Sequence, residues 1–463
     1  MRSILGVVVC AFAAAVSAVS TTGNRLLVVL DDAAEKDAYS QFFGDLTARG
    51  YEIKYETPRS EELKLFQLGE RAYDHLVFLP LQGLGPNLTP NLLVDFVNAK
   101  GNVLVALSST TPASASLVSL LSELDITLPA ERTGTVVDHF NYDTVSAPET
   151  HDTLVLDAPT SVRPGLKPYF DVGGVLALPH TAGHILGQSH LLAPVLRAPS
   201  TAYSYNPKEQ AETVDPDDLF AAGQQLALVS TMQARNSARL TVLGSAEMLQ
   251  DKWFDAKVAR GDDKKVKTEN REFSKRVSGW TFQEIGVLRV NEIEHRLVGS
   301  NETNPEIYRI KTDVSYRISV SEHVWDKWVP FVVPEGDNLQ LEFSMLSPFH
   351  RLNLEARGGR RLGHCFFAHL YAARSARHLQ FQGQLQAAIP DVRGGEAHRE
   401  RAPHCARRVA AQLQHLRGVA VAVGHRGDGD GLCGLRGGVD VQQAGRQEAG
   451  LKGLGCVRYN MAK

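Results

Sequence analysis

The fold is decided by the segment RLLVVLDD at residues 25–32. Its five consecutive apolar residues, Leu26–Leu30, are typical of a β-strand that is buried on both faces. Asp31 and Asp32 follow the strand, and aspartate at such a position can cap a helix. Residues 39–46 then carry apolar side chains at helical spacing. A buried strand that leads directly into a helix predicts a layered α/β domain.

The same alternation of strand and helix continues along the first half of the chain. Thr89 and Pro90 open a further helix, with the threonine as N-cap and the proline in the first turn, and Gly101 ends it. Alternating elements predict a parallel sheet, so the fold class predicted for residues 24–255 is a doubly wound α/β domain. The strands predicted after the first are 51–55, 76–79, 102–107, 226–230 and 240–243.

The pattern changes in the middle of the chain. Residues 256–271 are charged and poor in apolar residues, which predicts a linker. A short helix is predicted around residues 273–282. Beyond it apolar and polar residues alternate, as in 314–320 and 339–345, which is typical of half-buried antiparallel strands. We therefore predict a helix followed by an antiparallel β-sandwich over residues 272–355.

The N-terminus is typical of a secretory signal peptide, predicted to cover residues 1–18. Arg2 precedes an apolar run, Ile4–Val16, and the small residues that follow suit cleavage after Ala18. The run is too short to span a bilayer. Residues 19–355 contain no cysteine. We therefore expect this part of a secretory-pathway protein to have no disulfide, no thiol nucleophile and no Cys-ligated zinc.

Two Asn-X-Thr sequons lie in this part of the chain, at Asn87 and Asn301. Asn301 is in a polar loop and is the better acceptor. Asn87 is the poorer acceptor, because Pro90 follows its threonine and that threonine, Thr89, is predicted to cap a helix. We expect glycosylation at Asn301 rather than at Asn87.

Two pairs of polar residues are candidates for chemistry. Asp31 and Asp32 end the first strand, at the edge where open α/β sheets bind ligands, so they could hold a metal or a sugar. The alternative is that they cap the next helix. Asp138 and His139 could be an acid and the general base that it orients, or they could belong to a polar loop that bonds its own backbone. A working site at these four residues would make the chain a lumenal sugar-processing hydrolase.

Other motifs give weaker signals. Ser108 and Ser109 follow a strand, where a nucleophile elbow would lie, but no G-x-S-x-G motif surrounds them. Trp325 and Trp328 could stack on a sugar, which makes a carbohydrate-binding module a further alternative, or they could pack within a domain. The sequence has no dinucleotide fingerprint, P-loop or H-E-x-x-H motif. We therefore predict no catalytic residues, no cofactor and no metal site.

Several stretches, in order along the chain, carry a resemblance to a known family. They are Leu26–Asp31, Tyr73–Val77, Val137–Asp143, Ser200–Ser204, Gln233–Arg239, Gly286–Val290, and Trp328–Phe331 with Gln340–Phe343. The set resembles the family of the 48 kDa subunit of eukaryotic oligosaccharyltransferase. The resemblance covers about residues 24–355.

The resemblance implies a type I membrane protein of the endoplasmic reticulum with most of its chain in the lumen. It implies a non-catalytic accessory subunit of the complex that transfers a dolichol-linked oligosaccharide to Asn-X-Ser/Thr sequences of nascent proteins. Catalysis and the divalent metal would belong to a separate multi-spanning subunit. The partners would be that subunit, ribophorin-like subunits and small membrane subunits. The N-terminal half is also similar to glutamine-amidotransferase-like domains, without their nucleophilic cysteine.

The C-terminal residues 356–463 depart from the family. They hold 15 Arg and 2 Lys against 7 acidic residues, a net charge of +10, whereas the rest of the chain has 32 basic and 45 acidic residues, a net charge of −13. The family implies a C-terminal transmembrane helix, but this tail has no apolar run of that length.

A shifted reading frame accounts for this departure. Read one nucleotide later, the codons of residues 369–386 can encode an alternating strand, and those of residues 419–441 can encode an apolar span. We therefore predict that residues 356–463 are an off-frame, unstructured tail that lacks the transmembrane helix. The alternative is a genuine basic tail that binds RNA or an anionic membrane.

Overall fold

The computed structural model of the chain describes residues 20–85, 87–157, 165–206, 219–261, 264–305, 312–334, 337–344, 349–359, 363–371, 380–382 and 421–425. The predicted signal peptide and most of the predicted C-terminal tail lie outside these ranges.

The first domain alternates strands with helices. Its strands are β1 (Arg25–Val29), β2 (Glu52–Glu56), β3 (Phe66–Gln67), β4 (Glu70–Arg71), β5 (His75–Phe78), β6 (Asn102–Ala106), β7 (Ile126–Thr127), β8 (Thr135–Val137), β9 (Thr153–Asp157), β10 (Val175–Pro179), β11 (His184–Leu186), β12 (Leu192–Arg197), β13 (Tyr203–Tyr205), β14 (Leu226–Gln233), β15 (Arg239–Leu243), β16 (Lys257–Val258) and β17 (Val266–Lys267). Its α-helices are α1 (Ser40–Ala48), α2 (Pro90–Asn98), α3 (Ala115–Glu123), α4 (Lys167–Phe170), α5 (Asp251–Phe254) and α6 (Asn270–Thr281), and 3-10 helices cover Ala33–Tyr39, Gly223–Gln225 and Glu247–Leu249.

The central strand β1 is buried on both faces, as its sequence predicts. Leu26 and Val28 pack in one apolar cluster with helix α1, whereas Leu27 and Val29 pack in a second cluster with α2 and α3. Because side chains alternate between the two faces of a strand, one apolar run serves both layers. Helices therefore cover both faces of the sheet, as the doubly wound prediction requires.

The main sheet is mixed rather than entirely parallel. Its strand order is β2-β1-β5-β6-β15-β14-β11-β7, with β12 also paired to β14. The five strands from β2 to β15 are parallel, but β14 runs antiparallel to β15. The sequence correctly predicted strands in both positions, and β15 is parallel to β6 as predicted, but the predicted direction of β14 was wrong. Only residues 234–238 connect these two strands, which is too short for the crossover that parallel neighbours need.

The charged stretch 256–271 is not a linker. It contains the hairpin β16–β17 and the start of helix α6, and Val258 and Asn270 are buried. The side-chain amide of Asn270 accepts a hydrogen bond from the backbone N–H of Ala177 (3.0 Å) and donates one to its carbonyl (2.8 Å). The prediction was wrong because a few buried residues fix this segment, while exposed lysines dominate its composition.

The second domain consists of antiparallel sheets. Its strands are β18 (Ile285–Leu297), β19 (Asp313–Val324), β20 (Lys327–Pro330), β21 (Asp337–Ser344), β22 (Phe349–Asn353), β23 (Glu355–Gly359), β24 (Gly363–Tyr371), β25 (Gln380–Gln382) and β26 (Val421–His425). One sheet has the order β18-β19-β24-β23, with β20 also paired to β19. The other sheet has the order β22-β21-β25, with β26 also paired to β21. The predicted alternation is confirmed in β19, where Val314, Tyr316, Ile318 and Val320 are buried. That the two sheets face each other as a sandwich stays a prediction.

The predicted end of this domain at residue 355 was wrong. Strands β23 and β24 continue the first of the two sheets, and β24 pairs with β19 along Asp313–Ser319. Within the described ranges, no helix is both long enough and apolar enough to cross a membrane.

Candidate functional site

The aspartate pair after β1 has structural roles. Asp32 accepts a hydrogen bond from the backbone N–H of Ala34 (3.0 Å) and caps the 3-10 helix that begins at Ala33, which confirms the capping interpretation. Asp31 accepts a hydrogen bond from the backbone N–H of Gln82 (2.9 Å). It thereby ties the end of β1 to the loop that follows β5. Both carboxylates lie at the predicted edge of the sheet, and both organise the local backbone there.

The serines after β6 are also used within the fold. The hydroxyl of Ser108 accepts a hydrogen bond from the backbone N–H of Thr110 (3.2 Å) and lies 2.8 Å from its hydroxyl. The backbone N–H of Ser109 donates to the carbonyl of His180 (3.0 Å). Both serines are buried. The contacts hold the loop after β6.

His180, which sequence reasoning missed, directly follows β10 and contacts carboxylates from two other segments of the chain. Its Nδ1 lies 2.7 Å from Oε1 of Glu247, and its Nε2 lies 3.6 Å from Oδ2 of Asp152. The hydrogen bond to Glu247 is the main cause that raises the pKa of His180, and the nearby carboxylates add to it. A histidine directly after the apolar run of β10 was the available signal. Protonation of His180 would place a cation between these two acids, and we call this contact the His180 clamp.

Asp138 anchors its own loop. Its buried carboxylate accepts hydrogen bonds from the backbone N–H groups of Phe140 (2.8 Å) and Asn141 (3.3 Å) and from the amide of Asn141 (3.0 Å). The hydroxyl of Thr201 also donates to it, at 2.8 and 2.9 Å. The structure therefore favours the interpretation of Asp138 as a residue that bonds its own loop.

His139 takes part in a separate chain of hydrogen bonds. Its Nε2 lies 3.0 Å from the hydroxyl of Tyr203, and its Nδ1 lies 2.6 Å from Nδ1 of His151. Nε2 of His151 lies 3.1 Å from the carbonyl of Pro148. A carbonyl only accepts, so Nε2 of His151 carries a proton. The chain of contacts runs from Tyr203 through His139 and His151 to Pro148, and Asp138 does not orient His139.

Asp143 lies in the same loop and also bonds its own backbone. Its buried carboxylate accepts hydrogen bonds from the backbone N–H groups of Val145, Ser146 and Ala259 at 3.2, 3.0 and 2.9 Å. The hydroxyl of Ser146 also donates to it (2.6 Å). The contact with Ala259 fixes the loop to the segment that begins with β16.

The two tryptophans of the second domain pack within the protein. The indole of Trp325 lies against Gly279 of helix α6, where an added Cβ would come within 2.8 Å of the ring. The ammonium group of Lys275 lies 5.0 Å from the centre of the same ring system. The guanidinium group of Arg289 covers the ring of Trp328 at 4.3 Å. The packing alternative is thus favoured over sugar stacking, although Trp328 keeps 37% of its surface exposed.

Arg239 ties the first domain to the second. It is almost fully buried at the start of β15, and its guanidinium group donates to the carbonyls of Trp280 (2.6 Å), Ile285 (2.7 Å) and Gly286 (2.6 Å). The same group lies 4.6 Å above the ring of Trp280. Its partners are the end of helix α6 and the start of β18, so one cation fixes the point where the chain passes between domains.

A second polar group at this junction surrounds Glu284. Its buried carboxylate accepts hydrogen bonds from the guanidinium group of Arg49 (2.7 Å) and the hydroxyl of Tyr51 (2.8 Å). Its backbone carbonyl accepts a hydrogen bond from Nδ1 of His323 in β19 (2.8 Å). Burial, and next the charge of Glu284, raise the pKa of Tyr51 well above its ordinary value. This group therefore links helix α1, helix α6 and the second domain.

Metal binding gains no support from the described part of the chain. Among those residues, no three His, Cys, Asp or Glu side chains are arranged to hold a metal ion.

The fold and these contacts define a class of protein: a two-domain scaffold in which an α/β domain is fixed to an antiparallel β domain. The family model of the OST48 N-terminal domain matches residues 17–284, and that of the OST48 middle domain matches residues 295–371. The chain therefore belongs to the OST48 family, which confirms the resemblance found in the sequence. The likeness to glutamine-amidotransferase-like domains stays a prediction.

Relatives from distant organisms match across both domains. The chain is 33% identical over 406 residues to the dolichyl-diphosphooligosaccharide–protein glycosyltransferase 48 kDa subunit of Danio rerio, covering 79% of this chain and 87% of the relative. It is 33% identical over 348 residues to the subunit of the same name from Caenorhabditis elegans, covering 73% and 75%. It is also 33% identical over 320 residues to the subunit wbp1 of Schizosaccharomyces pombe, covering 68% and 69%.

Proposed function

We propose that the chain is a non-catalytic accessory subunit of the oligosaccharyltransferase complex, which transfers a dolichol-linked oligosaccharide to asparagine in nascent proteins. The observation that carries the proposal is the match, across both domains, to relatives named as the 48 kDa subunit of the dolichyl-diphosphooligosaccharide–protein glycosyltransferase. Its role would be to assemble and stabilise the complex.

The hydrogen bonds of the candidate catalytic residues support a structural role. A general base needs a free lone pair within reach of a substrate proton. The carboxylate of Asp138 instead accepts from three residues of its own chain, and both nitrogens of His139 have partners. Asp31 and Asp32 hold backbone N–H groups. The polar residues of the candidate site therefore serve the fold.

The proposed location is the endoplasmic reticulum membrane with the described domains in the lumen. The predicted signal peptide supports the lumenal side. Anchoring would come from the C-terminal helix that the family implies. The proposed partners are the multi-spanning catalytic subunit, ribophorin-like subunits and small membrane subunits.

The sequons fit the same location. Asn301 and its threonine, Thr303, are exposed. At the other sequon the amide of Asn87 donates to the carbonyl of Ser60 (2.9 Å), and the hydroxyl of Thr89 accepts from the backbone N–H of Leu92 (3.3 Å) to cap helix α2. We therefore propose that Asn301, rather than Asn87, carries a glycan.

Replacement in cells tests the proposed function. Cells depleted of their own 48 kDa subunit would express either this full chain or a chimera whose residues after 371 come from the Danio rerio relative. The proposal predicts that the tagged chimera isolates the catalytic subunit from microsomes and restores glycosylation of a reporter protein. Recovery of the catalytic subunit with the unmodified full chain is the comparison. Isolation of the chimera without the catalytic subunit would contradict the proposed function.

A further inference from the structure

Strand β18 lies at one edge of its sheet. It pairs with β19 on one side, and within the described ranges no strand pairs with its other side, which we call the β18 edge. An edge strand presents backbone N–H and C=O groups that can pair with a strand of another chain. Because β18 has 13 residues, its edge is long enough to accept a second strand.

The first half of the β18 edge is irregular. The register of β18 against β19 shifts between Ile285 and Val287 and again between Val290 and Glu292. Bulges bend and twist a strand, and this hinders pairing along its edge. The part of the β18 edge that keeps a regular register, and that a second strand could use, is therefore residues 292–297.

Charge gives this regular part little protection. Like charges often prevent two edge strands from pairing. Glu292 and Glu294 lie here, but Arg317 of β19 pairs with both of them, at 3.2 and 3.6 Å. Arg296 adds a further positive charge, so these two acids and two arginines have no net charge. A second strand would therefore meet no strong repulsion.

Asn304 covers the regular part of the β18 edge. Its backbone N–H donates to the carbonyl of His295 (2.7 Å), and its side-chain oxygen accepts from the backbone N–H of His295 (2.8 Å). Its side-chain amide donates to the carbonyl of Ile293 (3.5 Å). Its φ of +54° lies in the left-handed region, where asparagine is enriched. One residue thus occupies both backbone groups that a second strand would need at His295.

The sequon at Asn301 lies in the same loop, three residues before Asn304. The backbone N–H of Ser300 donates to the carbonyl of Leu297 (3.1 Å), and that of Glu302 donates to the hydroxyl of Ser300 (3.1 Å). These bonds fold the loop back onto the end of β18, while Asn301 stays exposed. A glycan on Asn301 would therefore add a bulky, hydrated group beside the residues that Asn304 covers.

We propose that Asn304 and a glycan on Asn301 together close the β18 edge against pairing with a second copy of this chain. A second copy is the partner that symmetry favours, because two antiparallel copies of one strand make each contact twice about a two-fold axis. The inference rests on the proposed glycan at Asn301 and adds to it what that glycan does.

Photo-crosslinking between copies tests the inference. Cells of the replacement experiment would express two differently tagged copies of the chimera, each with p-benzoyl-phenylalanine in place of Arg296. Asn301→Gln removes the glycan and leaves Asn304 in place. Asn304→Gly removes the covering side chain, suits the left-handed backbone and leaves the sequon intact. We expect about tenfold more adduct between copies in the double variant than in the unsubstituted chimera, and intermediate amounts in each single variant.

Thr303 provides the matched control. Thr303→Ala removes the sequon and keeps both asparagines, so it should act as Asn301→Gln does. Thr303→Ser keeps the sequon and should act as the unsubstituted chimera does. With p-benzoyl-phenylalanine in place of Leu68 instead, an exposed residue of the β3–β4 turn, every variant should give the same low amount of adduct.

Three results would overturn the inference. They are equal adduct at position 296 in all variants, an equal rise at position 68, and absence of a glycan from the unsubstituted chimera. Recovery of the catalytic subunit is measured separately in the same microsomes. Its absence from the unsubstituted chimera would contradict the proposed function instead.

Discussion

Arg49, which directly follows helix α1, forms a buried ion pair with Glu284, 235 residues later in the chain, with 2.7 Å between Nη1 and Oε1. The same oxygen accepts a hydrogen bond from Tyr51. The pair lies where the chain passes from the α/β domain to the β domain, so it fixes one domain to the other. In the proposed assembly role, this junction would hold the surfaces of the two domains in constant relation.

Loss of Arg49 should destabilise the protein strongly. Arg49→Ala is expected to lower the free energy of unfolding by about 3–5 kcal/mol, because it leaves a carboxylate buried without its cation. Arg271→Ala is the matched control, since Arg271 pairs with Asp45 at the exposed surface of the same two helices. That change should cost only about 0–1 kcal/mol. Urea unfolding of residues 20–371 measures both values, and similar losses in the two variants would contradict the role of the buried pair.

Substituting alanine for two glycines in helices separates the effect of side-chain packing on stability from the effect of helix propensity. Gly279→Ala should cost about 1–3 kcal/mol, because the added Cβ would come within 2.8 Å of the indole of Trp325 and force it to move. Gly44 in helix α1 has open space around the same position. Gly44→Ala should therefore stabilise the protein by about 0.5–1 kcal/mol through helix propensity. Opposite signs are expected in thermal or urea unfolding, and a stabilising Gly279→Ala would argue against the Trp325 contact.

His180 should stabilise the protein on the acid side of its titration. Its folded-state pKa is raised by the hydrogen bond to Glu247, so the folded chain binds the proton more tightly than the unfolded chain. The stability that it contributes is fully present below the unfolded pKa of about 6.5 and is lost as pH rises through the folded pKa. His180→Gln should therefore lower the free energy of unfolding by more near pH 6 than near pH 8.5. Roughly equal losses at the two pH values would contradict the His180 clamp.

His75 should act in the opposite direction. Burial lowers the pKa of this histidine to about 4, and its Nε2 donates to the carbonyl of Gly23 (3.0 Å). Between about pH 4 and 6.5 the unfolded chain binds a proton that the folded chain does not, so stability falls as pH falls, by up to about 1.4 kcal/mol per pH unit. His75→Gln should flatten this slope in urea unfolding series from acid to neutral pH. A slope identical to that of the wild type would show that another group is responsible.

Glycan occupancy should separate the two sequons. In microsomes, Asn301→Gln is expected to remove the gel shift that an endoglycosidase reverses, because Asn301 is exposed. Asn87→Gln should leave the shift unchanged, since the amide of Asn87 is bonded to Ser60 and Thr89 caps helix α2. Loss of the shift only in the Asn87 variant would reverse the assignment.

Local patterns in the sequence predicted much of the fold. The run from Leu26 to Leu30 is buried on both faces, as five consecutive apolar residues suggest. The capping role of Asp32 follows from its place between strand and helix. The direction of β14 was missed because the alternation of elements outweighed the short connection at residues 234–238. Composition misled at residues 256–271, where a few buried positions fix the segment, and after residue 355, where β23 and β24 continue a sheet.

The contacts at the domain junction could not be predicted from the sequence. Arg239 bonds three carbonyls that lie 41 to 47 residues further along the chain, and a backbone carbonyl has no sequence signature.

The carboxylate of Asp138 is adjacent to His139, which suggested a catalytic pair. The structure shows that Thr201, 63 residues away, takes that carboxylate instead.

The most direct test of the account is the rate of glycan transfer by isolated complexes. Complexes would be prepared from cells that express the chimera described above, in which residues after 371 come from the Danio rerio relative. The chimera would carry Asp31→Asn and His139→Gln, substitutions that keep each side chain close to its original size. If the chain only supports assembly, the rate per catalytic subunit should equal that of the unsubstituted complex, and the purified chain alone should turn over no glycan. A large fall in that rate with the complex intact, or turnover by the chain alone, would contradict the central claim.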